Sequence, residues 1–99
     1  MNKDLVRAYL HAHCLGKGKA LPSQALEQAL NRSGSSLRKQ VNRLRREGVP
    51  IASCSRGYFY AETAGEVYAT IRELKKMRSG LDAAIAGLEQ ALGGFGRQQ

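Results

Sequence analysis

The chain has 99 residues, with 16 Lys and Arg against 8 Asp and Glu and a formal net charge of +8. That length supports one small domain with a modest core. No apolar run approaches the ~20 residues needed to cross a bilayer, and Asp4, Arg7 and His11 interrupt the amino-terminal apolar stretch, so neither a membrane span nor a signal peptide is expected and the expected location is the cytoplasm.

The first segment, residues 2–14, places Leu5, Val6, Tyr9, Leu10 and His13 at helical spacing, which predicts an amphipathic support helix ended by Gly16. Lys17-Gly18-Lys19 reads as a flexible turn. Ala20-Leu21-Pro22 reads as extended, because the residue before a proline is pushed out of the helical region. A short second helix follows to about Asn31, with Ser23 as its N-cap and Ala25, Leu26, Ala29 and Leu30 as its buried stripe. Arg32-Ser33-Gly34 is a tight connection in which Ser33 caps the next helix, expected to run to Glu47 and stop at Gly48.

That third helix is the most informative stretch of the sequence. Arg32, Arg38, Lys39, Arg43, Arg45 and Arg46 fall between residues 32 and 46 with no acid among them. Leu37, Val41 and Leu44 share one narrow face at about 100° per residue, and Ser35, Lys39, Asn42 and Arg46 lie nearly opposite. A solvated surface helix usually interleaves both signs, so an unrelieved basic face points to an anionic partner. The charge is also segregated: residues 1–61 hold eleven Lys and Arg against three acids, and residues 62–99 hold five of each.

Beyond Gly48, residues 49–54 and 58–61 are two strand-like runs around Ser55-Arg56-Gly57, which predicts a β-hairpin with Arg56 at its tip. The stretch LPSQALEQALNRSGSSLRKQVNRLRREGVPIASCSRGYFYA thus reads as a short helix, a second helix with an arginine-rich end leading to Gly48, an Ile-containing strand and Arg-Gly-Tyr at the hairpin. Residues 20–61 resemble the winged helix-turn-helix family, in the variety found at the amino terminus of biotin repressors and in small phage and prophage regulators. The sequence departs from that pattern at Gly34-Ser35-Ser36, small where many relatives place larger side chains.

The resemblance implies double-stranded DNA as the partner, with the second helix of the unit in the major groove and the wing on the backbone. It assigns the interface to Ser35, Ser36, Arg38, Lys39, Asn42, Arg43 and Arg46, with Arg56 at the wing tip. Arginine and asparagine can bond guanine and adenine edges in bidentate fashion, which makes Arg38 and Asn42 candidate base readers. Lys39, Arg43, Arg46 and Arg56 suit phosphates, which position a protein without reading sequence. The expected role is transcription regulation, or the marking of a replication or recombination site. A protein-interaction adaptor, with the basic face meeting an acidic protein, is the alternative.

Thr63-Ala-Gly-Glu66 is a capping box, preceded by a candidate hinge at Glu62-Thr63, and it opens a long helix expected over residues 64–92. Val67, Ile71, Leu74, Arg78, Leu81, Ile85, Leu88 and Leu92 recur in alternating steps of four and three, the heptad pattern of a coiled coil. Val67, Leu74, Leu81 and Leu88 are d positions; Ile71, Arg78, Ile85 and Leu92 are a positions. Such a helix, roughly 43 Å long, exceeds what a domain of some sixty residues covers, so it predicts a homodimer, and Ile at a with Leu at d favours the two-stranded parallel form. Met77, Ala84 and Ala91 widen the apolar face, which also suits an antiparallel pairing or a larger bundle. A helix folded back on the domain with a break at Ser79-Gly80 is the intramolecular alternative, although Gly80 and Gly87 both lie at solvent-facing c positions. Residues 93–99 show no periodicity and are expected to form a flexible tail.

The fold class expected is therefore mainly α with a small β-hairpin: a winged helix-turn-helix over residues 1–61, an oligomerisation helix over 62–92 and a tail over 93–99. Catalytic chemistry is not indicated. His11, His13 and Cys14 are the one cluster of reactive groups, and their spacing matches no zinc motif. Cys14 and Cys54 lie forty residues apart without a C-x-x-C, which indicates reduced thiols. Cys54 is a candidate redox sensor beside Arg56, and a buried strand position is the plainer reading. Gly16-Lys17-Gly18-Lys19 lacks the full spacing of a phosphate loop and the strand that precedes one. No enzyme, cofactor or metal is expected.

Overall fold

A computed structural model describes residues 2–97. The order is α1 (Asn2–His13), a single 3-10 turn at Lys17–Lys19, α2 (Ser23–Leu30), α3 (Gly34–Arg46), β1 (Ile51–Cys54), β2 (Gly57–Tyr60) and α4 (Ala64–Arg97). The architecture is mainly helical with a two-stranded antiparallel hairpin and a long carboxy-terminal helix. None of the helices among the described residues is long and apolar enough to cross a membrane.

Three helices and the hairpin close on one core. Val6 and Leu10 of α1, Leu26 and Leu30 of α2, Leu37, Val41 and Leu44 of α3, and Ile51, Ala52 and Phe59 of the hairpin are all buried together. Burying each such aliphatic side chain stabilises the fold by about 1.5–3 kcal/mol, which explains why short helices with little intrinsic stability hold their places. The helical spacing identifies this core with some corrections. Leu5 is 49 % exposed, and His13 and Ala29 face solvent, because each lies one step round from the narrow stripe its helix buries.

The ends of α2 and α3 follow local chemistry. Pro22 is the N-cap of α2, not Ser23; the Ser23 hydroxyl instead donates to Glu27 Oε2 at 2.8 Å, and proline's fixed φ allows the chain to enter the helix directly. Asn31 ends α2 in the left-handed region at φ 52°, a conformation asparagine tolerates. Ser33 caps α3 as expected, its hydroxyl accepting from the Ser36 N–H at 3.2 Å. At the far end Gly48 has φ +90°, its N–H donates to the Arg45 carbonyl and the Val49 N–H to the Leu44 carbonyl, both at 3.0 Å. This is a Schellman stop, with buried Val49 as its apolar residue.

The hairpin pairs Ile51 with Tyr60 and Cys54 with Gly57, leaving Ser55-Arg56 as a two-residue turn. The extended piece before α2 completes this sheet on its other side. Leu21 and Tyr58 exchange backbone hydrogen bonds at 3.0 and 2.9 Å, the Gly16 N–H donates to the Tyr60 carbonyl at 2.8 Å, and the Tyr60 N–H donates to the Cys14 carbonyl at 2.8 Å. The second strand is therefore satisfied along both edges. Gly57 makes this approach possible: it has φ +129°, and a Cβ there would overlap the Leu21 carbonyl.

Thr63 and Glu66 form the expected capping box, with the Glu66 N–H on Thr63 Oγ1 at 3.2 Å and the Thr63 N–H on Glu66 Oε1 at 3.3 Å. The helix α4 does not break at Ser79-Gly80. It also runs past Leu92 to Arg97, where a flexible tail was expected; Gln98 and Gln99 lie outside the described residues. The sequence signal overlooked there is Phe95, seven residues beyond Leu88 and thus in the same d register, so the apolar seam continues although Gly93, Gly94 and Gly96 each cost about 1 kcal/mol of helix propensity. At roughly 51 Å, α4 accounts for most of the molecule's 59 Å longest dimension.

Candidate nucleic-acid interface

The site is the outer face of α3 together with the hairpin tip. Because Leu37, Val41 and Leu44 are each no more than 1 % exposed, the rotation of α3 about its axis is fixed. Ser35, Arg38, Lys39, Asn42, Arg43 and Arg46 are left exposed, and Ser36 is half-buried beneath its capping bond. From Ser35 to Arg46 this face is roughly 17 Å long, enough to follow four or five base pairs at ~3.4 Å each. Arg56 is exposed in the two-residue turn between the strands, apart from the α3 set.

The six basic residues of the sequence stretch do not act alike. Arg45 turns inward: its Nε donates to the Ile51 carbonyl at 2.8 Å and an Nη to Ser53 Oγ at 3.3 Å, with the guanidinium 6.0 Å from the centre of the Tyr58 ring. Burial pushes the Arg45 pKa down, and the neighbouring Tyr58 opposes that shift. This arginine fastens α3 to the hairpin. Sequence alone counts it in the basic run and leaves it out of the expected interface set; lying four residues beyond buried Val41, it is nearer the buried stripe than the other basic residues of α3. Arg32, before the Ser33 cap, is half-buried, and its Nε has no hydrogen-bond partner. The exposed set therefore reduces to Arg38, Lys39, Arg43 and Arg46, with Asn42 among them.

Two of these have a local role as well. Arg43 and Arg46 sit in the last turn of α3, where a cation meets the partial negative charge of the helix end and stabilises it by about 0.3–1 kcal/mol. Arg38 and Lys39 lie in the first half of the helix, where that effect is absent, so their charge is unexplained by helix stability.

The other chemistry-bearing residues are placed structurally. Cys14 is buried, and burial raises its thiol pKa. His11 and His13 are exposed, with the His11 ring edge-on to Tyr60 at 4.8 Å and the His13 ring tilted on Tyr9 at 4.6 Å. Cys54 is half-buried at the end of β1, where full burial was the plainer expectation. Gly16 to Lys19 forms a turn whose Lys17 N–H donates to Glu66 Oε2 at 3.0 Å, so this glycine-lysine segment roots α4.

The eight residues expected to line the oligomerisation seam divide. Val67 is half-buried where α4 meets β1. Ile71 and Leu74 are 41 % and 38 % exposed beside a groove under the hairpin. Arg78, Leu81, Ile85, Leu88 and Leu92 are exposed. Comparison with protein-family models, with curated proteins and with solved structures gives no match to this chain.

Proposed function

We propose that the chain is a DNA-binding protein of winged helix-turn-helix type, with α3 in the major groove, Arg56 on the backbone and α4 as the contact between two copies. The reading is carried by one observation: the exposed face of α3 presents Arg38, Lys39, Arg43 and Arg46 without an acidic residue between them. A duplex offers one negative charge per ~1.7 Å along its axis, so the row of cations from Arg38 to Arg46, roughly 12 Å long, meets a continuous wall of phosphates. The element order supports it, since a helix, an extended segment, two helices and a hairpin in this sequence make a wing beside a recognition helix. Regulation of transcription, or occupation of a phage or prophage control site, is the role such a module serves.

Arg38 and Asn42 then read base edges, and Lys39, Arg43, Arg46 and Arg56 hold phosphates. Fluorescence anisotropy of labelled mixed-sequence duplex, titrated with the protein at several salt concentrations, tests the proposal. Binding whose logarithm falls with log[salt] at about −0.9 per neutralised phosphate, and which Lys39→Ala, Arg43→Ala and Arg46→Ala together abolish, is the expected result. Absence of binding at low salt refutes it and directs attention to an acidic protein on the same face.

A further inference from the structure

Above its root, α4 carries an apolar seam that none of the other described residues covers. Met77, Leu81, Ile85, Leu88, Leu92 and Phe95 are 53–72 % exposed. At the foot of the seam lies a groove of about 320 Å³, walled by Val49, Pro50 and Ile51 on one side and by Ile71 and Leu74 of α4 on the other. Below it the seam is closed, because Thr70 is buried and its Oγ1 accepts from the Ser53 N–H at 3.2 Å. The next seam residue down, Val67, already lies against β1, so the lowest open seat for an apolar side chain of a second helix is beside Ile71.

We infer that a second copy of this chain lies along the seam in the antiparallel sense, with its Phe95 seated in the groove beside Ile71. This deepens the proposal that α4 joins two copies and rests on it. The register follows from the heptads. With the two-fold axis level with Ala83, Ile71 faces Phe95, Leu74 faces Leu92, Arg78 faces Leu88 and Leu81 faces Ile85 of the second copy. The flanking e positions place Lys75 against Glu89 twice. Ala84 meets its own counterpart and lets the backbones approach. Asp82 meets Asp82 at the axis, and Arg78 four residues earlier on the same helix offsets that charge.

The competing arrangements fail on particular residues. One heptad lower, the second copy would have to pass the level of Val67 and Thr70, which its partner's own hairpin occupies. One heptad higher, Asp82 faces Glu89 twice. In the parallel form Arg78 opposes Arg78 in the core, and the g positions Met77 and Ala84 offer nothing to Asp82 and Glu89 of the second copy.

Disulfide trapping in the full chain tests this. In a Cys54→Ser background, with Cys14 buried, Arg78→Cys and Leu88→Cys are oxidised separately and as a mixture. The expected result is a covalent dimer in the mixture, many-fold above either variant alone. Self-crosslinking of each single variant at the level of the mixture is the parallel result and overturns the inference, as does a monomeric mass by light scattering. Phe95→Glu, at a position exposed in the single chain, should weaken dimerisation by about tenfold or more with helix content retained; an unchanged dimer overturns the seating in the groove. The DNA reading is separable: antiparallel trapping without duplex binding upholds this inference and sinks that reading, and duplex binding by a monomer does the reverse.

Discussion

Arg43 and Arg45 stand two residues apart on α3 and carry the same charge, yet Arg43 faces solvent and Arg45 turns inward, so on the proposed function alanine at each position should produce opposite phenotypes. Arg45 donates to the Ile51 carbonyl and to Ser53 Oγ from a half-buried position. A hydrogen bond from a charged donor contributes about 1.5–3 kcal/mol, and removing it leaves the Ile51 carbonyl without that donor. The lost placement of the guanidinium over the Tyr58 ring, 6.0 Å from its centre, adds to this. For a domain of this size a destabilisation of about 2 kcal/mol lowers Tm by roughly 8–16 °C. Arg43 is exposed, so Arg43→Ala should cost no more than about 1 kcal/mol, the upper range of its favourable position at the helix end.

On DNA the order reverses. If α3 binds DNA as proposed, Arg43→Ala should remove one phosphate contact and reduce the salt slope by about 0.9, whereas Arg45→Ala, assayed well below its Tm, should keep the slope of the parent protein. Thermal denaturation followed by circular dichroism and anisotropy titration at three salt concentrations measure both quantities on the same two proteins. If Arg45→Ala loses slope as Arg43→Ala does and melts normally, then Arg45 faces the ligand in solution and the partition of the basic residues is wrong.

Other substitutions probe the frame that holds the site. Gly57→Ala should be among the most damaging single changes, costing about 3 kcal/mol or more, because a Cβ overlaps the Leu21 carbonyl and φ is +129°; chemical denaturation measures it, and a loss below about 1 kcal/mol would mean that Leu21 does not pair with Tyr58. Glu66 accepts backbone hydrogen bonds from Glu62, Lys17 and Thr63; the bond from Glu62 is the largest of the influences that hold its carboxyl below the ordinary value of 4.5, while slight desolvation opposes them. A depressed folded pKa contributes stability that is fully present above the unfolded value and is lost as pH falls through the folded one. The Tm advantage of the parent over Glu66→Gln should therefore shrink only in acid below that ordinary value, and an advantage independent of pH there would contradict the assignment. In native protein a thiol reagent should modify half-buried Cys54 readily and buried Cys14 only on unfolding, measured by mass spectrometry; rapid double labelling would place Cys14 outside the core.

The elements legible in the sequence are those whose signals are local. Leu37, Val41 and Leu44 define the buried face of α3 by spacing alone, Ser33 and Thr63 announce helix starts, and the hairpin turn follows from Ser55-Arg56-Gly57. The pairing of Leu21 with Tyr58 was not legible, because it joins segments 37 residues apart through backbone atoms that carry no sequence signature. Arg45 was already left out of the expected interface set, but its task was not legible: arginine is tolerated both in solvent and against a carbonyl, and the position of β1 decides that it bonds Ile51 and Ser53. Phe95 lies in the stretch expected to be a tail because residues 93–99 show no periodicity among themselves, although its heptad position relative to Leu88 carries the seam onward. Of the candidate interface, the α3 residues were legible as a set and their exposure follows from the core. The placement of Arg56 at the tip follows from the turn.

The connection between the basic domain and α4 matters for any paired arrangement, and the sequence suggested a hinge at Glu62-Thr63. The structure places there a dense set of bonds instead. Glu66 accepts from Lys17, Glu62 and Thr63 at 3.0, 2.7 and 3.3 Å, and one turn later Thr70 accepts from Ser53 while donating to the Glu66 carbonyl. Two elements of the domain, the turn at Lys17 and the strand β1, thus grip two successive turns of the helix, and rotation about either backbone bond at Glu62 would break several hydrogen bonds together. The direction of α4 relative to α3 is consequently fixed by the domain itself. In an antiparallel pair centred on Ala83, the levels of Ala69 in the two copies lie about 42 Å apart along the axis, beyond the ~34–36 Å of half-sites one helical turn apart. A rigid root cannot shorten that distance by bending. A rigid root also keeps the two α3 helices at one separation, so affinity for paired sites on one duplex should peak at a single centre-to-centre spacing and fall on either side of it. A series of duplexes of graded spacing measures this, and equal affinity across the series would show that the root yields or that the two copies bind independently.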